Sequence, residues 1–304
     1  MEKKDSVFAK IHRDGFKWTD SVVISFLLFG LMFLLGSAIA MAIGTGIKAL
    51  ANEENAEFFA VLGDNFGFLG YWIIAFAYLL IVKADKPILR AIGKEPKGNN
   101  VKMLLLGIPI GLLLNALCIG VAILHGDIRI TFDSFPVVKI LLVFASVFVQ
   151  SSGEELLCRG VLYQRLRKAY KNPWVAICVN PLVFVAVHLA IPGCTIWAVI
   201  FIYLIGVMFS LMVYYFDSLW MAMAAHAAWN FTQNFIFGLP NSGTVYSFSI
   251  FKLDQNSAID SLLYNVQFGV EASVTAVIVS GVACAVIHYM MKKKPQTSLD
   301  VWER

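Results

Sequence analysis

The sequence predicts an all-α protein, a polytopic transmembrane helical bundle of about eight spans with both termini in the cytoplasm. Three observations predict it. The 304 residues are 59% hydrophobic and 14% charged, with a mean hydropathy of +0.74. Several apolar runs reach ~20 residues, the length an α-helix needs to cross a bilayer. The lysines and arginines fall on one side of those runs. Alternating strands of ~10 residues, the mark of a membrane β-barrel, do not occur.

The apolar runs lie at about 21–50, 66–82, 101–124, 137–158, 174–191, 195–216, 218–239 and 266–291. With the N-terminus inside, 20 of the 24 Lys and Arg fall in inside segments or tails. The other four are Lys48, Arg129, Lys139 and Lys252. Such a split orients the chain by the positive-inside rule. Residues 1–304 read as a single integral membrane domain, with 1–20 and 292–304 as cytoplasmic tails and "PQTSLDVWER" as a solvated end. "GSAIA" at 36–40 has the small residues of a signal-peptide cleavage site. Four acidic residues in the leader, Glu2, Asp5, Asp14 and Asp20, and an apolar run that continues past the site argue against cleavage. The five cysteines lie in or beside apolar runs without a CxxC, which reads as packing thiols. The expected location is the cell membrane.

An ionisable side chain within a span points to function unless a structural pair accounts for it. Away from the span ends there are Glu154, Glu155, Arg159, His188 and His226, joined by the amide Asn230. Glu155 and Arg159, four apart with the acid first, form a favourable ion pair on one helix face. That pair leaves Glu154 about 100° around the helix with no local cation. A lone carboxylate facing a cavity of low dielectric is suited to general-base work near neutrality. "FVAVH" sets Phe184 and His188 one turn apart, and "HAAWN" does the same for His226 and Asn230. Taken singly, each histidine reads as a packed or interhelical hydrogen-bonding residue, and the alanines around His226 favour close packing. Taken together, three spans bring one Glu, two His and one Asn within range of a shared chamber. Glu154 with His188 could hold and deprotonate a water, and His226 with Asn230 could donate to the oxyanion of a tetrahedral intermediate.

"EELLCR", "FVAVH" and "HAAWN" also fit, in order, the EExxxR, FxxxH and HxxxN motifs of a known family. Across about 137–235 the chain resembles the CPBP intramembrane glutamic endopeptidases, which include the CAAX prenyl endopeptidases and the Abi bacteriocin-processing and self-immunity proteins. The resemblance implies Glu154 as the water-activating base and His188 as its partner. It implies His226 and Asn230 as oxyanion stabilisers, Glu155, Arg159 and Phe184 in support, and Arg159 near the C-terminal end of the substrate. The implied activity is endopeptidase cleavage of a peptide or membrane-anchored protein, lipid-modified in some members, with membrane lipids as surroundings and no nucleic acid.

No cofactor is required by this reading. Glu154, His188 and His226 would be the ligands of a zinc alternative, two His and one carboxylate with water in the fourth position. A non-catalytic immunity or binding protein on the same scaffold is the competing function; a transporter is disfavoured by the absence of inverted repeats. The span limits place Glu154 ~9 Å and His188 ~21 Å from the cytoplasmic boundary. His226 lies ~12 Å deep by the same measure. The expected cavity therefore lies in the inner half of the membrane and opens to the cytoplasm.

Overall fold

The computed structural model describes residues 7–293 and 298–303. Its helices are α1 (Val7–Ile11), α2 (Val22–Lys48), α3 (Ala56–Phe66), α4 (Leu69–Ile81), α5 (Ile88–Ile92) and α6 (Val101–His125). There follow α7 (Val137–Glu155), α8 (Tyr163–Ala169), α9 (Pro173–His188), α10 (Ile196–Phe216), α11 (Leu219–Phe231) and α12 (Val274–Met291). A π-helical stretch, Leu156–Leu162, joins α7 to α8 without a break, and a second, Thr232–Ile236, extends α11. Among the described residues one strand pair forms, β1 (Ile130–Phe132) antiparallel to β2 (Phe251–Leu253).

The chain is a multi-pass membrane protein. Among the described residues, six helical segments are long and apolar enough to cross: Val22–Lys48, Ala56–Ile81, Val101–His125, Val137–Ala169, Ile196–Phe216 and Val274–Met291. Their outer faces carry exposed Leu34, Leu113 and Ile278, side chains that a bilayer rather than water would cover. Each of the eight predicted runs lies on a helix, but two of those helices fall short as spans. α9 has 16 residues, ~24 Å. α11 is short, and all of its residues except Trp220 and Asn230 are buried. Its alanines, His226 and Asn230 are screened from lipid by α6, α7 and α10, so its hydropathy need not match that of a lipid-facing span.

Three boundaries differ from expectation. The second span begins at Ala56 rather than 66, because Glu57, Asp64 and Asn65 lower the hydropathy of its first turns. The fourth runs on to Ala169, carrying its arginines with it. The last begins at Val274, capped by Ser273, whose hydroxyl accepts from Ala276 N at 3.1 Å.

The best-joined pair in the bundle is α6 with α11, drawn together by small residues. Gly107 and Gly111, spaced as GxxxG, face Ala224 and Ala225. A Cβ on Gly111 would overlap the carbonyl oxygen of Ala225 and lie 2.9 Å from Trp229 N. One turn further, Asn115 Nδ2 donates to Gln233 Oε1 at 2.7 Å. The Gly111→Val variant forces its methyls against backbone, which cannot rotate away as a side chain can. We expect it to lower stability by about 3 kcal/mol, read as an earlier midpoint in detergent unfolding.

Both ends of the bundle are built. At the basic end, Arg13 bonds Asp300 at 2.6 Å and Glu303 at 3.0 Å, and Lys168 bonds Asp20 at 3.1 Å and Asp85 at 3.0 Å. Arg165 is paired with Asp85 and donates to Thr19 O at 2.6 Å. Trp302 Nε1 donates to Gln164 O at 2.9 Å, and Val301 is buried. The expectation of a solvated C-terminal end is therefore corrected for residues 298–303, of which Glu303 alone is exposed. Opposite charges from distant segments meet there and hold both tails against α8. The parts of those tails at 1–6, 294–297 and 304 lie outside the described residues. At the other end, the stretch after α11 folds over the bundle through β2 and through Asp127, which accepts from Ser261 Oγ at 2.7 Å.

Candidate active site

α7, α9 and α11 each bring their polar residues to one cavity of about 520 Å³. It is lined by Gln150 and Glu154 of α7, Phe184 and His188 of α9, and His226 and Asn230 of α11. Aromatic side chains of α10, Phe201 and Phe209, form part of its wall. The spacing explains the convergence. Gln150 and Glu154, Phe184 and His188, and His226 and Asn230 are each one helical turn apart, so each helix needs only one face turned inward.

The two glutamates diverge as their spacing requires. Glu155 is fully buried, and its Oε1 accepts from Arg159 Nη1 at 2.9 Å. Arg159 is also fully buried, donates through Nη2 to Gly206 O at 2.9 Å, and is flanked by the rings of Phe184 and Phe209. It does not line the cavity, so in this conformation it has no route to a substrate's C-terminal end. Glu154 faces the cavity, and its Oε1 accepts from Gln150 Nε2 at 2.8 Å.

His226 bridges the pair. Its Nδ1 lies 2.9 Å from Glu155 Oε1 and its Nε2 lies 3.6 Å from Glu154 Oε2. The ring stacks on Phe209 with centroids 5.3 Å apart and meets Phe184 edge-on. His188 Nδ1 is 2.7 Å from Phe184 O. A carbonyl can only accept, so Nδ1 carries the proton and the neutral ring keeps its lone pair on Nε2. No hydrogen bond or ion pair joins His188 to Glu154 among the described residues; a molecule between them would have to bridge the two.

Asn230 is placed differently from the oxyanion role expected of it. Its Nδ2 donates to Gln150 Oε1 and Ser151 Oγ, both at 3.1 Å, while its Oδ1 accepts from Asn241 Nδ2 at 3.3 Å. A chain of amides thus runs from Asn230 through Gln150 to Glu154. Gln150 was not among the residues singled out in the sequence. Its signal was there: a polar side chain one turn before Glu154 in an otherwise apolar run.

Glu271 is buried against the cavity and fastens its rim. It accepts from Trp229 Nε1 at 2.9 Å, Asn241 Nδ2 at 3.2 Å, Ser242 N at 2.9 Å and Ser242 Oγ at 2.7 Å. One carboxylate so ties the loop after α11 back to α11.

The expected mismatch in depth is absent, and the opening lies at the other end. Glu154 is fifteen residues before Ala169 and His188 is fifteen after Pro173, each ~22 Å along its helix from the basic end. The apolar run that ends at 158 is shorter than its helix, which continues through α8 to Ala169. Among the cavity's lining residues, Asp64 and Thr244 are exposed, whereas Phe209 and His226 are buried. The mouth is therefore on the face of residues 237–273, away from the basic end, and the expectation of a cavity open on the basic side is corrected.

Among the described residues, no three His, Cys, Asp or Glu side chains gather as a metal site. Glu154, His188 and His226, the ligands of the zinc alternative, all line this cavity.

With this geometry in view, the comparison with known proteins is specific. Residues 136–232 match the family model described as type II CAAX prenyl endopeptidase Rce1-like. That segment runs from the start of α7 to the end of α11 and contains every cavity-facing residue of the three motifs. No curated protein matches the chain.

Proposed function

We propose that this chain, a member of the CAAX-endopeptidase family through its 136–232 segment, hydrolyses a peptide bond with a water activated by Glu154. The observation that carries the reading is His226 held between two carboxylates of different environment, 2.9 Å from Glu155 and 3.6 Å from Glu154, at the wall of a cavity that also takes in His188. Glu155 is already paired with Arg159. Glu154 has only a glutamine amide and the far nitrogen of His226, which leaves it free to take a proton.

In this reading a water lies between Glu154 and His188 Nε2. Glu154 removes its proton as the oxygen adds to the substrate carbonyl, forming a tetrahedral oxyanion. His226, held through Nδ1 by Glu155, turns its protonated Nε2 toward that oxyanion. Collapse of the intermediate breaks the C–N bond, and Glu154 returns the proton to the leaving amine. Asn230 acts at one remove, aligning Gln150, which aligns Glu154.

The reaction consumes one water per bond. Purified protein in detergent, incubated with a peptide pool in ¹⁸O-water, is expected to yield new C-termini carrying one ¹⁸O atom, read by mass spectrometry. Intact peptides after prolonged incubation would leave the cavity without a hydrolytic role.

A further inference from the structure

We infer that the cavity receives its peptide from outside the cytoplasm, so that its substrates are translocated polypeptide segments cleaved at an internal bond. The inference rests on the peptidase reading for its chemistry, but its geometry is independent.

The cavity is closed toward the basic end. Leu156–Leu162 are all buried beneath it, and the Glu155–Arg159–Gly206 network crosses the same level. The face of the mouth is acidic. The segments 49–66, 126–136 and 237–273 on that side carry Glu53, Glu57, Asp64, Asp133, Asp254 and Asp260 against Arg129 and Lys252, with Asp64 paired to Lys48 and Asp133 to Lys252. The basic residues cluster beyond the floor, from Arg13 to Arg167 and Lys168, in segments tied to one another by hydrogen bonds. A membrane protein keeps its basic segments in the cytoplasm, so floor and mouth are assigned to opposite sides of the bilayer.

The lining limits what can bind. Asp64, Glu154 and Glu271 contribute to it, and no Lys or Arg does. A free C-terminal carboxylate would find no lysine or arginine in that lining, whereas an uncharged or lysine-bearing stretch meets amides, hydroxyls and aromatic rings. The exposed Thr244 marks the way in.

The test uses the full chain in right-side-out and inverted membrane vesicles. Thr244→Cys, at the mouth, and Lys94→Cys, at the basic end, are treated with a membrane-impermeant maleimide, with the unsubstituted chain as background for its own five cysteines. Labelling of Thr244→Cys in right-side-out vesicles and of Lys94→Cys in inverted ones is expected. The unsubstituted chain is then given a pool of C-terminally amidated fluorogenic decapeptides, each uncharged or bearing one lysine. Right-side-out vesicles should cleave it at least tenfold faster than inverted ones, with detergent removing the difference. Reversed labelling, or cleavage confined to inverted vesicles while detergent activity is intact, would overturn the sidedness. Preference for free-acid peptides would overturn the internal-bond assignment. Expected labelling without cleavage in detergent would instead count against the peptidase reading and leave the opening where it is assigned.

Discussion

Glu154→Gln is expected to lower kcat on the order of 10³-fold while peptide binding and unfolding midpoint stay near those of the unsubstituted chain. The substitution keeps the size of the side chain and an oxygen for Gln150 Nε2, which donates to Glu154 Oε1 at 2.8 Å. It removes the group that takes the proton from water. Because Glu154 has no arginine or lysine partner, its neutralisation leaves no cation stranded in the protein. The same change at Glu155 would strand one, so the two neighbours should respond differently although both are glutamates. The measurement is turnover together with peptide affinity by fluorescence anisotropy. A variant that binds and does not cleave fits the assignment; one that cleaves at the full rate removes Glu154 from the chemistry.

The contrast between the two glutamates shows what could be read from the sequence. The spacing of Glu155 and Arg159 already implied their pairing, and the same helical geometry turned Glu154 elsewhere. The helices themselves were legible because a span has to be apolar along its length, whatever it packs against. Less legible were features decided by partners far along the chain. α11 was read as an ordinary span because neighbours that screen it leave no mark on its own composition. The C-terminal end reads as solvated because Asp300 finds Arg13 and Arg167 only in three dimensions. Glu271 precedes a helix start in the sequence, while its four donors come from α11 and the loop after it. The side on which the cavity opens depended on where the fourth helix ends, and hydropathy stopped that helix at its arginines.

Arg159→Met should be among the most destabilising single changes in this chain, by about 3–5 kcal/mol, because it leaves Glu155 as a buried carboxylate without its cation. Glu155 and Arg159 are both inaccessible to solvent, and Gly206 O would lose its donor as well. Among the described residues neither Glu155 Oε2 nor Arg159 Nε has a hydrogen-bond partner, so the pair is held by few contacts for its depth. Removing both charges is a different matter. The double variant Glu155→Gln with Arg159→Met buries no unpaired ion, and its stability should return to within about 1–2 kcal/mol of the original chain. Activity should not return with it. A glutamine can still accept from His226 Nδ1, but it supplies no negative charge to hold that ring protonated while Nε2 faces the oxyanion. We expect kcat of the double variant to remain about 10²-fold low, an effect of the kind seen when an orienting carboxylate is neutralised. Unfolding in detergent and turnover, measured on the two single variants and the double, separate the roles. Recovery of both together would make the pair architectural; recovery of stability alone would make Glu155 the residue that readies His226.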